Sequence, residues 1–225
     1  VGPEIEIPGH SRAALAAYPH LGCTGDTLPV PTTWGVFADV LCPTGRTFEF
    51  IEAVLTEVLE LFPSRFIHLG GDEVPTTRWQ ECEECQAIIA REGLGGEREL
   101  QGWMMKRMAQ WLAERGRTMI GWDEILDGGA PRGAVVQAWQ GSDRIRAAIA
   151  AGADVIASPQ DFVYLNRQPG DLTLAQVVSF DPVSSVGSGD GRLLGAEAPL
   201  WAEHVTSARN AELMWWPRLL GFAEA

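Results

Sequence analysis

Arg65-Phe66-Ile67-His68-Leu69-Gly70-Gly71-Asp72-Glu73 is a short apolar run that passes through two glycines into a pair of acids. The apolar part, bounded by a turn signal, reads as a buried strand. Carboxylates beside an apolar interior are costly unless they are hydrogen-bonded or neutralised. The glycines let the backbone bend sharply and let a ligand come close. A strand that ends in such a bend and a paired acid is suited to acid–base chemistry.

The same alternation continues on both sides of this stretch. Val1-Gly2-Pro3-Glu4-Ile5-Glu6-Ile7 alternates as a strand and stops at Pro8-Gly9-His10. A short helix over 12–17 follows, then a long irregular segment over 19–45, a length that is uncommon unless functional. Apolar residues at Phe50, Ile51, Val54, Leu55, Val58, Leu59 and Phe62 predict a helix over 47–62. Trp103, Met104, Met108, Trp111 and Leu112 predict another over 100–115, with this stripe as core. Strands are expected at 118–122, 135–139, 154–157 and 193–197, with helices over 143–150 and 206–222. Tyr164 and Asn166 fall in a loop.

Six strands alternating with helices imply a parallel sheet covered by helices. His10, Asp72, Glu73, Trp122, Trp139 and Trp201 all stand at strand ends. A (β/α)8 TIM barrel gathers its C-terminal strand ends on one face, and that face carries the chemistry. A doubly wound sheet is the alternative, but no Gly-rich dinucleotide fingerprint follows the first strand. The expected fold is therefore an α/β barrel of about six βα units in a single domain over 1–225.

Composition narrows the partners. A formal charge of −13 argues against nucleic acid or an anionic membrane. Nine tryptophans against two tyrosines supply flat apolar faces with one N–H each, which suit sugar rings. No run is apolar and long enough for a transmembrane helix. The compartment stays open between cytoplasm, periplasm and exterior. Cys82-Glu83-Glu84-Cys85 has zinc-like spacing, but no second pair with ligand spacing follows it. Structural thiols or a local disulfide are the expectation there, and Cys23 and Cys42 are placed to pair in an oxidising compartment.

Several pieces, in order, resemble one family: Pro3-Glu4-Ile5-Glu6-Ile7-Pro8-Gly9-His10-Ser11, His68-Leu69-Gly70-Gly71-Asp72-Glu73-Val74-Pro75, Gly121-Trp122-Asp123-Glu124-Ile125-Leu126, Trp139, Tyr164 and Leu200-Trp201-Ala202-Glu203. They resemble the catalytic domain of the glycoside hydrolase family 20 β-N-acetylhexosaminidases and span nearly the whole chain. The resemblance implies that the chain starts near the family's third barrel strand. It also implies an exo-acting, retaining hydrolase of β-linked N-acetylhexosamine glycans. In this family the substrate's own 2-acetamido group replaces the enzyme nucleophile.

The resemblance further implies Glu73 as general acid and base, Asp72 as partner of the acetamido N–H, and Tyr164 as the group that holds the acetamido carbonyl. Trp122, Trp139 and Trp201 would wall the sugar pocket. Glu203 would bind hydroxyls, and His10 and Asp123 would support the acids. His68 is expected behind a neighbouring acid. No metal and no cofactor is implied. Asn166 stands where the family usually carries Asp, which removes a charge and adds a donor. The family's substrate-clamping Arg on its first strand has no counterpart. Two other readings follow: a non-catalytic sugar-binding remnant whose open barrel a homodimer would close, or instead a fragment of a longer hydrolase, and a relative with a wider pocket that releases a disaccharide.

Overall fold

His68 sits in the middle of strand β2 (Phe66–Gly70), and the strands on either side of β2 are both parallel to it. The computed structural model describes all residues 1–225, and the chain divides into two compact units, Val1–Val135 and Val136–Ala225. Six parallel strands alternate with helices along it.

In the first unit, β1 (Glu4–Ile7) pairs with β2 with Glu4 opposite His68 and Ile7 opposite Gly70. Strand β3 (Thr118–Trp122) lies on the other side, with His68 opposite Ile120. Helix α1 (Arg12–Ala17) follows β1, and α2 (Gly45–Leu61) returns the chain to β2. Phe48, Ile51 and Leu55 are buried along one face of α2, as the helical spacing requires. After β2 come α3 (Thr77–Glu81), α4 (Glu83–Glu92) and α5 (Glu97–Ala113). The first two of these helices escaped the sequence reading, because Thr77 to Glu92 is mostly polar and its buried residues are few. The Met and Trp stripe of α5 is core, with Met104, Met105, Met108 and Leu112 fully buried.

Helix α5 and the turn after β3 approach so closely that a Cβ on Gly102 would run into the Gly128 carbonyl. A backbone carbonyl cannot swing away as a side chain can.

From β4 (Val135–Ala138), which lies in the second unit except for its first residue, the strands β5 (Asp154–Ala157) and β6 (Leu193–Ala196) alternate with α6 (Ser142–Ala150), α7 (Gln160–Val163) and α8 (Leu174–Val178). Strands β5 and β6 are parallel, with Val155 opposite Leu193. The interior polar group Gln137 donates to Ser158 Oγ at 3.1 Å and to Glu197 Oε1 at 3.0 Å. The single closing helix expected over 206–222 is two helices, α9 (Ala208–Trp215) and α10 (Arg218–Glu224). Pro217 has no N–H to continue the first, so the chain breaks there.

Arg218, at the start of α10, is fully buried, and no acid accepts from it. Its guanidinium donates to the carbonyls of Leu165 at 2.7 Å, Arg167 at 2.8 Å, Leu172 at 3.1 Å and Met214 at 3.1 Å. Burial holds its pKa below the usual value. Five donors in a planar fork satisfy several carbonyls of one loop at once.

Two stability predictions follow from these contacts. Gly102→Ala should lower unfolding stability by about 1–3 kcal/mol, the usual cost of overpacking, read as a fall in the denaturant midpoint. Arg218→Met should cost roughly 3 kcal/mol or more, because several buried carbonyls lose their donor together; an unchanged midpoint would show that the loop over 165–172 does not depend on it.

Candidate functional site

Strands β1 and β2 are parallel, and a register shift between Glu4 and Ile7 sets Ile7 beside Gly70, so the residues just past the two strand ends meet. His10 Nε2 lies 3.2 Å from Asp72 Oδ2 and 3.5 Å from Glu73 Oε2. The Asp72 and Glu73 side chains are 17% and 38% exposed, so both acids reach solvent from a mostly closed surface. Successive strand residues point to opposite faces, so neighbouring acids converge only where the strand has stopped. Gly70 and Gly71, at φ 68° and 97°, make that departure. A Cβ on Gly70 would meet the Glu6 carboxylate, and one on Gly71 would sit 2.8 Å from Ile125 Cγ2. Gln101 on α5, itself buried, donates to the Gly71 carbonyl at 2.6 Å and fixes the turn from behind.

Only two non-glycine residues of the chain have positive φ, His10 at 48° and Glu73 at 47°. Such conformations cost of order 1–3 kcal/mol each and cluster at functional sites. Both fall on residues singled out from sequence. Glu73 is held there in part by Glu124, whose Oε1 accepts the Glu73 N–H at 3.3 Å. The Asp72 hydrogen bond is the main cause that holds the His10 imidazole above its ordinary 6.5; partial burial opposes it, and the charges of Asp72, Glu73 and Glu124 add to it.

Behind the acids lies a second layer. His68 Nδ1 accepts the Gly70 N–H at 3.0 Å, so that nitrogen carries no proton. Burial pushes the His68 pKa down, which agrees with a neutral ring. Its 3.3 Å approach to Glu4 Oε1 is therefore not an ion pair. Glu4 Oε1 instead accepts the Trp122 indole N–H at 2.9 Å, and the Trp122 ring packs on His68 with centroids 4.8 Å apart. Trp122 is 2% exposed and Asp123 is fully buried. Glu6, two residues after Glu4 and on the same strand face, has a pKa raised far above 4.5 by burial first, then by the Asp72 charge and a Glu4 hydrogen bond. Asp72 Oδ1 is buried and has no hydrogen-bond partner in the protein.

The aromatic set lies in the second unit. Trp139 stacks on Tyr164 with centroids 6.2 Å apart and planes 18° apart, and Trp201 meets Tyr164 at the same distance, tilted by 58°. Asn166 Oδ1 is buried without a partner in the protein. Glu203 is exposed in the loop after β6.

Sequence reasoning missed Glu4, Glu6, Gln101 and Glu124. The i, i+2 spacing of Glu4 and Glu6 on one strand face was the available signal for two of them. It also kept the cysteines in separate pairs. The structure brings Cys23, Cys42, Cys82 and Cys85 together, all four sulfurs within 4.8 Å of one another.

The family profile described as "Glycosyl hydrolase family 20, catalytic domain" matches residues 1–225. The chain belongs to glycosyl hydrolase family 20. It is 40% identical to a beta-hexosaminidase of Porphyromonas gingivalis over 99% of this chain and 30% of that protein. It is 34% identical to the Vibrio furnissii beta-hexosaminidase, covering 98% of this chain and 39% of that one. Among solved structures, the β-N-acetylhexosaminidase of Bacteroides fragilis superimposes with a TM-score of 0.80 at 30% identity, covering 100% of this chain and 47% of that chain. A mutant Streptomyces plicatus β-hexosaminidase in complex with product GlcNAc does so with a TM-score of 0.80 at 29% identity, over 100% of this chain and 45% of that chain. The chain thus spans between about a third and a half of the length of these relatives. With these matches the fold of this family 20 chain is α/β of the (β/α)8 barrel type, of which it carries six strands.

The raised His10 pKa makes a stability prediction. A group whose folded pKa lies above its unfolded value stabilises fully below the unfolded pKa, and that stabilisation is lost as pH rises through the folded pKa. His10→Asn keeps a residue that tolerates positive φ. Its stability deficit should therefore be largest below pH 6.5 and should shrink as pH rises. A deficit constant across pH, in denaturant midpoints, would remove the charge interaction as its cause.

Proposed function

We propose that this chain is the catalytic part of a retaining exo-β-N-acetylhexosaminidase, with residues 1–225 serving one catalytic domain. The substrate is a glycan or glycoconjugate ending in β-linked GlcNAc or GalNAc. The observation that carries the reading is the convergence of His10, Asp72 and Glu73 at two adjoining strand ends, with Asp72 Oδ1 buried and unpartnered by the protein. Family membership and the GlcNAc bound to the Streptomyces plicatus relative support it.

In this reading the 2-acetamido oxygen of the sugar attacks the anomeric carbon. The bond to the leaving oxygen breaks as Glu73 delivers its proton there. Asp72 accepts the acetamido N–H through the oxygen that has no protein partner and balances the positive charge of the oxazolinium. Water then attacks the anomeric carbon, its proton passing to Glu73, and the acetamide is restored. Two inversions give net retention. His10 bridges the two acids and keeps them aimed at one point.

Tyr164 is assigned the acetamido carbonyl, and Trp139 and Trp201 the apolar walls around the methyl and the ring. A fixed acetamido group raises the effective concentration of the internal nucleophile. Asn166 and Glu203 are assigned sugar hydroxyls, with the buried Asn166 Oδ1 as an available acceptor. Trp122, whose indole also holds Glu4 and whose ring packs on His68, is assigned a third wall of the sugar pocket, and Asp123 a supporting place beside the acids.

Glu73→Gln should lower turnover of the p-nitrophenyl β-glycosides of N-acetylglucosamine and N-acetylgalactosamine by roughly 10²- to 10⁴-fold, the usual weight of general acid–base catalysis. Asp72→Asn should be comparably severe, and an oxazoline-mimicking thiazoline should bind far more tightly than the parent sugar. Sugar binding without turnover in the unmutated protein would favour the non-catalytic reading instead.

A further inference from the structure

The four cysteines stand apart from the acids and take no part in the chemistry above. Three chain segments deliver them. Cys23 follows a 3-10 turn over Pro19–Leu21, and Cys42 lies on the returning arm of the same long loop. An antiparallel bridge between Gly22 and Leu41 clamps the arms together, reinforced by Cys42 N–H donating to the Leu21 carbonyl at 2.8 Å. Cys82 caps α4 and Cys85 sits in its first turn, so the Cys-x-x-Cys pair folds both sulfurs to one side. Loop pair and helix pair thus face each other from opposite directions, 40 to 62 residues apart in sequence.

The spacing of the sulfurs is informative. Cys42 Sγ is 3.3 Å from Cys85 Sγ and 3.7 Å from Cys82 Sγ, and Cys23 Sγ is 3.8 Å from Cys85 Sγ. A disulfide needs about 2.05 Å. Four sulfurs at about 2.3 Å from a central tetrahedral ion lie about 3.8 Å from one another. Cys42 and Cys85 are buried in an apolar cluster with Val40, Val74, Trp79 and Leu100. Four thiols in such surroundings are poor hydrogen-bond partners for each other, and four thiolates repel unless a cation joins them.

We propose that Cys23, Cys42, Cys82 and Cys85 form a structural zinc site. An all-thiolate tetrahedral set with no position left open matches structural rather than catalytic zinc. Binding expels the thiol protons and leaves the ion closed off by four sulfurs. Its place in the chain gives it a task. Val74, next to Glu73, and Trp79 belong to the same apolar cluster, and the Trp79 indole donates to the Leu41 carbonyl at 3.1 Å. Asp39 on the loop receives Arg12 and Arg78. The zinc ties the loop over 19–45 to the segment that follows the paired acids, and so fixes how that segment leaves the turn. Nothing here depends on the hydrolase reading, and either can fail alone.

The test is elemental analysis of the protein purified without chelator, with thiols counted after denaturation in the absence of reductant. About one zinc per chain and four titratable thiols are expected. Cys85→Ser and the more accessible Cys23→Ser should each lose most of the zinc. If the variants do not fold, cobalt exchanged into the unmutated protein decides, since thiolate-bound tetrahedral cobalt has intense charge-transfer and visible bands. Two disulfides with no free thiol would overturn the proposal. So would four free thiols that take up neither zinc nor cobalt, or iron in place of zinc.

Discussion

Because Glu4 lies opposite His68 and Ile7 opposite Gly70, strands β1 and β2 reach their ends together. Every distance among His10, Asp72 and Glu73 depends on that parallel register. A slip of one residue would turn Glu4 and Glu6 to the opposite face and carry His10 away from the acids. The register is held by more than its backbone ladder. Glu4 accepts from Trp122 at the end of β3, and Trp122 packs on His68 of β2, so one indole locks three strands at the layer just below the acids.

Above that layer the backbone is bent on purpose. Gly70 and Gly71 take positive φ without cost, whereas His10 and Glu73 take it against their own preference. The strain is held by contacts from several directions: Gln101 on the Gly71 carbonyl, Glu124 on the Glu73 N–H, and the His10 imidazole across both acids. The result is a dense group of carboxyls, Glu4, Glu6, Asp72, Glu73 and Glu124, around a few positive or neutral partners. Burial first, then the Asp72 charge, raise the Glu6 pKa, so this carboxyl resists adding a second negative charge beside Asp72. In the second unit the same role of holding a loop falls to one buried cation, with Arg218 gathering the carbonyls that surround Asn166.

Much of this was legible in the residues. The apolar run from Phe66 to Leu69, the glycine pair and the paired acids marked the end of β2, and hydrophobic spacing placed α2, α5 and all six strands within a few residues. The polar helices α3 and α4 were not legible, because their burial comes from Trp79, Cys85 and Ile88, three isolated positions with no sustained period. The break at Trp216-Pro217 was written in the sequence but masked by the apolar spacing on both sides. Glu6 and Glu124 were invisible as functional neighbours because an acid in a strand or after one has no signature until a second acid is placed beside it.

The sequence by itself determined the alternation of strands and helices and marked the strand ends at which His10, Asp72 and Glu73 stand as candidates, since these follow from local periodicity and from short motifs. The tertiary structure alone decided which groups share a site. Register between β1 and β2 brought His10 to Asp72 across a gap of 62 residues in the chain, and the clamp at Gly22 and Leu41 brought two distant cysteine pairs to one point. Both outcomes depend on distances between segments far apart in sequence, and such distances are set by packing and hydrogen bonding in three dimensions, not by any local pattern of residues.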